Sequence, residues 1–204
     1  LKDYYHKWYR PDLQGIIIVG DIDADKTEKK LKEIFNTIPK PENAAERIYY
    51  TVPDNKEPII AIAKDKEATG SQVTVYYKHK PMTKELKATI AGIAGIYLKS
   101  VTSMMLNDRL KEISEKPNAP FMSAYSYDAN FIVSKTMDAF TTMAVSKEGE
   151  TQKALKALLQ ETERVNRFGF TESEYERAKA NLLSMIESMY KEREKQKNNS
   201  YVEE

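Results

Sequence analysis

Four prolines, Pro39, Pro41, Pro53 and Pro58, fall in one stretch of chain whose other residues include Asn, Asp and Glu. Each proline fixes its own φ and removes a backbone donor, so 39–58 fits an extended connector better than any packed element. The connector divides the 204 residues into a short piece, 1–38, and a long piece, 59–204. Only the long piece has the size of an ordinary domain.

In the short piece, IIIVG at 16–20 is a continuous branched run, the pattern of a strand covered on both faces. The acidic residues of 21–25 then supply turn and cap carboxylates. Leu31, Ile34, Phe35 and Ile38 recur at helical spacing with lysines between them, which predicts a helix directly after the strand. The piece thus reads as the terminal strand and helix of a preceding domain.

In the long piece, IIAIA at 59–63 and QVTVYYKH at 72–79 read as two strands paired antiparallel across the turn residues Thr69, Gly70 and Ser71. A helix is expected over 84–115, slimmed by Ala88, Ala91, Gly92, Ala94 and Gly95 so that it lies close to a sheet. Strands are expected around 121–132 and 134–145, and a helix at 150–167 carries Leu155, Leu158, Leu159 and Val165. Thr171 and Glu174 make a capping box for a last helix through about Gln196. The order ββ-α-ββ-αα predicts an α+β fold, an antiparallel sheet with helices packed on one face. The final KEREKQKNNSYVEE reads as a solvated helix end running into a connector.

Thirty-two basic against 31 acidic residues give a formal charge of +1, so no global field draws nucleic acid or an anionic membrane, and neither is an expected partner. The absence of cysteine excludes disulfides, thiolate zinc sites and a cysteine nucleophile, but does not distinguish compartments. The longest uncharged apolar segment, 88–98, is far shorter than the ~20 residues needed to cross a bilayer. The chain begins at Leu1 with no basic-then-apolar leader, which points to a removed signal or to a piece of a longer protein.

Chemistry-bearing motifs are scarce. The two histidines, His6 and His79, stand in neither an H-E-x-x-H nor an H-x-x-E-H spacing, so each reads as a polar residue in an ordinary environment. No nucleophile elbow, Walker loop or dinucleotide fingerprint occurs, and the glycines of AGIAG fall inside a helix. Tyr4, Tyr5, Trp8 and Tyr9 beside Lys7 and Arg10 suggest a base-stacking platform, yet a packing edge explains them better in a neutral chain. DIDAD lacks the Gly and distal Glu of a calcium loop, and helix capping accounts for its carboxylates.

Taken in order, YHKWYRPDLQGIIIVGDID, the Pro-rich connector, Asp108-Arg109-Leu110 and GFTESEYERAK at 169–179 resemble the second conserved block of the pitrilysin/insulinase family of zinc metallopeptidases, which includes the mitochondrial processing peptidases. The resemblance spans nearly the whole chain. It implies a parent made of two halves, each of two similar α+β domains, that close around a peptide; the first domain of the active half carries the inverted zinc motif. It also implies domains at 1–38, the end of a zinc-carrying type of domain, and at 59–204, a non-catalytic one, with 39–58 as linker.

The family's other half places an Arg, and seven residues later a Tyr, where they assist at the substrate carbonyl. Laying 113–116 on that pattern puts Ser114 at the Arg position and Phe121 at the Tyr position. Serine offers no cationic fork and phenylalanine no hydroxyl. No catalytic, cofactor or metal residue is therefore expected in this chain, and zinc belongs to the parent.

The resemblance implies a structural, chamber-walling domain of a peptide-cleaving metallopeptidase, with the zinc-carrying domain, the second half and a peptide as partners. Because the apolar side chains of 16–19 would otherwise stay in water, the 1–38 segment is expected either to fold back on its own domain or to dock against a second copy, with self-association of the isolated chain. Two alternatives stand beside this: a zinc-free half paired with a separate catalytic one, and an independent binding module. The family points to a bacterial periplasm or cell envelope; the residues themselves give neither compartment nor substrate.

Overall fold

A computed structural model describes residues 1–203; Glu204, the end of the charged tail, lies outside them. The chain forms two compact units, Leu1–Ile48 with the chain from Ile186 on, and Tyr49–Met185. Three strands are present, β1 (Ser71–His79), β2 (Ser123–Asn130) and β3 (Asp138–Ser146), with helices α1 (Lys2–Trp8), α2 (Ala24–Phe35), α3 (Lys84–Lys87), α4 (Ile90–Ser114), α5 (Thr151–Phe168), α6 (Glu172–Glu192) and α7 (Asn198–Glu203). The sheet is antiparallel in the order β1-β3-β2, and α4 and α5 pack on one face of it, as the α+β reading requires.

The central strand shows how the pattern works. Along β3, Phe140 and Ala144 point to the helices and pack with Val73 of β1, Ala124 of β2, Leu106 and Leu110 of α4, and Ala154 and Leu158 of α5. Helix α4 presents a second stripe at four-residue spacing, Val101 and Met105, to Ala178 and Leu182 of α6. Enclosing each Leu, Val or Met is worth roughly 1.5–3 kcal/mol, so these two clusters fix α4 between the sheet and α6. Asn107 adds direction to the packing. Its Oδ1 accepts from Ser126 N at 2.6 Å and its Nδ2 donates to Ser126 O at 3.1 Å, so a helix side chain serves as strand neighbour on the free edge of β2.

Two expected strands are not formed. No described strand lies beside 16–20, and Ile16, Ile17 and Ile18 are exposed. The segment 59–63 likewise stays unpaired with Ile59, Ile60 and Ile62 in solvent, while β1 pairs with β3 on one side and has no strand on its other side among the described residues. Apolar composition favours a strand only where a second backbone supplies its ladder.

The expected helix 84–115 is divided at Ala88 and Thr89. Thr83 caps α3, and Thr89, in an extended conformation, caps α4 by accepting from Gly92 N at 3.1 Å. Gly92 is required for this corner: a Cβ there would lie 2.1 Å from the Leu86 carbonyl oxygen. The small residues expected to admit a sheet therefore include one that admits the preceding helical turn.

Thr142 of β3 is fully buried on the helix-facing side of the sheet, and its Oγ1 has no hydrogen-bond partner among the described residues. Folding strips this hydroxyl of water without replacement, whereas valine has the same shape and no such cost. Thr142→Val is expected to raise stability by about 1 kcal/mol, read as a higher denaturant midpoint at unchanged slope. A lower midpoint would mean that the hydroxyl is satisfied.

Candidate functional site

The stretch 106–121, singled out in the sequence by resemblance, turns its arginine and its phenylalanine into the fold. Arg109, the arginine of this stretch, follows Val101 and Met105 by one further four-residue step and so faces α6. Its Nε and one terminal nitrogen hold both oxygens of Glu174, at 2.5 and 2.9 Å. That second nitrogen also donates to the Gly169 carbonyl at 3.1 Å, the other donates to Glu161 at 3.2 Å, and the Phe170 ring lies 4.7 Å from the guanidinium carbon. Arg109 and Glu161 are buried and Glu174 nearly so. Four of the five guanidinium N–H groups are thus taken up within the fold.

Glu174 serves twice. Besides Arg109 it accepts from the Thr171 backbone N–H at 2.7 Å, while Thr171 Oγ1 accepts from Glu174 N at 3.3 Å, the reciprocal capping box expected from the sequence. The Arg109 guanidinium first, and the Thr171 bonds with it, hold the Glu174 carboxyl down at about 2 against burial, which acts the other way. Glu174 in turn raises Arg109 above its ordinary value.

Ser114 ends α4 half-buried, its hydroxyl donating to the Lys111 carbonyl of the previous turn at 2.7 Å. After a turn closed by Ala119 N on Lys116 O, Phe121 enters the core with no exposed surface, among Leu106, Leu110 and Leu158. The structure does not bring Ser114 and Phe121 together at one surface.

No group of three or more His, Asp or Glu able to hold a metal occurs among the described residues. His6 lies on α1, edge-on to Tyr5, and Tyr5 stacks on Tyr9. Asp23 of DIDAD caps α2 by accepting from Lys26 N at 3.0 Å. His79, taken from the sequence as an ordinary polar residue, is bonded on both ring nitrogens: Nε2 is 2.8 Å from Asp128 Oδ2, whose other oxygen accepts from Lys99 Nζ, and Nδ1 is 3.0 Å from the Lys80 carbonyl. Sequence reasoning missed this group because its members lie 29 and 49 positions apart, and no local spacing announces it.

Residues 1–182 match the family model described as the peptidase M16 inactive domain. The chain is 26% identical over 176 residues to the probable zinc protease PqqL of Haemophilus influenzae, covering 85% of the chain and 18% of that protein. It is 27% identical over 205 residues to the zinc protease PQQL-like of Arabidopsis thaliana, again 18% of the relative's length. Among solved structures, the first half of the periplasmic protease PqqL from Escherichia coli overlays with a TM-score of 0.72 at 18% identity, covering 98% of this chain and 42% of that one. The chain thus spans about a fifth of the length of the curated relatives it matches.

Proposed function

The chain belongs to the peptidase M16 inactive-domain family, and from that membership we propose that it is a non-catalytic domain of a longer zinc peptidase, one that walls the peptide chamber and holds the zinc-carrying domain. The observation that carries the reading is the fate of 106–121. Arg109 is bound to Glu161 and Glu174, Ser114 is bonded to its own helix, and Phe121 is core. We take Ser114 and Phe121 to occupy the assisting Arg and Tyr positions, and neither side chain has the chemistry of those roles.

The residues present do not fit zinc, since the described residues offer no cluster of ligands. In this reading the metal, the water it activates and the second half all belong to other parts of the parent protein. The overlay on the first half of the Escherichia coli relative supports a place in the corresponding half of the parent, and that relative's periplasmic location supports the same compartment here. Exposed Ile16, Ile17 and Ile18 are then a surface covered by another part of the parent, or by a second copy when the chain is isolated.

Incubating the purified chain with a pool of unstructured peptides and added zinc is expected to give no cleavage above buffer. Turnover by clean protein that a chelator abolishes would overturn the assignment.

A further inference from the structure

Helices cover one face of the sheet, and the other face carries a group of aromatic side chains. Phe140 and Ala144 of β3 point to the helices, so Ala139, Thr141 and Met143 point away from them. In the ladder Thr141 lies between Tyr76 of β1 and Tyr127 of β2, and Met143 lies between Thr74 and Tyr125. Thr141 is buried, while Tyr76, Tyr125 and Tyr127 stay 42, 43 and 38% exposed. Tyr125 and Tyr127 lie side by side with ring centroids 6.0 Å apart, and the Tyr125 hydroxyl reaches the Met143 sulphur. These half-exposed rings form a platform on which the strands place one charged side chain, Lys78.

One end of this platform already holds a piece of unpaired backbone. Lys78 Nζ donates to the Pro53 carbonyl at 2.7 Å and Thr136 Oγ1 to the Tyr50 carbonyl at 2.8 Å, and 50–53 forms neither helix nor strand. Carbonyls three positions apart fall on one side of a polyproline-type chain, which turns once every three residues and bonds none of them itself. Lys78 also lies over the Phe131 ring at 6.0 Å, and Tyr76 stands edge-on to that ring at 5.3 Å, so the backbone donors adjoin the rings. Beside them the β2–β3 hairpin tip presents Ile132 and Val133 to solvent, Ile132 in a left-handed conformation, φ 54°, that a branched residue rarely adopts.

We propose that this face is a peptide-binding platform for an extended, apolar, proline-containing segment, laid from the hairpin tip across Tyr76, Tyr127 and Tyr125, with the chain's own 50–53 seated at its rim. Resting on the chamber-wall reading, the site specifies which peptide segments that wall takes. Proline suits it because the ring packs on tyrosine and the backbone arrives already ordered, which lowers the entropy lost on binding. Single-stranded nucleic acid also stacks on tyrosines, but its phosphates would meet a single lysine whose ammonium is already bonded to Pro53.

Met143 sits in the platform and Met105 is buried between α4 and α6, so their methyl signals report binding and fold separately. Methyl spectra of the full chain, assigned with Met143→Leu and Met105→Leu, are recorded against three probes: a capped peptide of Pro, Val and Ser, an equally long peptide of Asp, Glu and Ser, and a single-stranded oligothymidine. The first is expected to shift Met143 saturably and leave Met105 in place, and the other two to shift neither. Tyr76→Ser combined with Tyr127→Ser is expected to weaken binding about tenfold or more, and Val133→Asp at the exposed tip to weaken it as well. If Met105 moves in the tyrosine variant, its fold has changed and Val133→Asp decides. A Met143 signal that ignores the apolar peptide, an equal shift with the acidic peptide or the oligonucleotide, a shift that follows protein concentration without peptide because a second copy covers the face, or unchanged affinity in the variants would each overturn the platform. Chelator-sensitive cleavage overturns the non-catalytic reading, whereas a silent Met143 overturns the platform alone.

Discussion

Replacing Arg109 with alanine is expected to lower the unfolding free energy by about 3–5 kcal/mol, among the largest single-residue losses this fold can show. The loss has three parts. The buried carboxylate of Glu161 and the nearly buried carboxylate of Glu174 lose their shared cation, the Gly169 carbonyl loses its donor, and the Phe170 ring loses the guanidinium stacked against it. Lysine recovers only part of this, because a single ammonium cannot reproduce a fork that meets Glu174 at both oxygens.

Acid reveals the same network. Glu174 ordinarily titrates near 4.5 and is held at about 2 in the folded chain, chiefly by Arg109. A depressed carboxylate contributes stability that is fully present above its unfolded value and is lost as pH falls through the folded one. The wild-type chain is therefore expected to lose up to about 3 kcal/mol between pH 4.5 and 2 from this group. In Arg109→Ala the loss over that window shrinks, since only the Thr171 bonds remain. Chemical denaturation at a series of pH values measures both. Equal slopes in the two proteins would show that Arg109 is not what holds the carboxylate.

The sequence made the capping box at Thr171 and Glu174 legible because its partners sit three positions apart on one helix turn. The helix at 151–168 and the last two strands were legible for the same reason: periodicity is local information. What failed was long-range. IIIVG and IIAIA have the composition of strands, but whether a strand forms is decided by a neighbour that composition does not name. Arg109 was read as one letter of a short motif; its role as a hub depends on Glu161 and Glu174, 52 and 65 positions away. His79 passed as ordinary on the same ground.

Phe121 tests most directly whether the region beside α4 is core or site. Its ring has no exposed surface and is enclosed by Leu106, Leu110, Ala144 and Leu158, so Phe121→Ala is expected to cost about 3–5 kcal/mol through lost transfer energy and the cavity left behind. Phe121→Tyr, the residue an assisting role would need, is expected to cost about 1–3 kcal/mol, because its hydroxyl enters an apolar cluster with no partner. Ser114→Arg, by contrast, falls at the half-buried last residue of α4, outside the apolar cluster, and is expected to cost less than about 1 kcal/mol. The double variant therefore combines an arginine at the helix end with a hydroxyl in the core, and the two groups never meet at one surface. Denaturation midpoints of the three single variants decide the matter. If Phe121→Tyr proves as stable as wild type, its hydroxyl reaches water, the ring borders an open surface, and the substitution has to be judged as a change in a binding site.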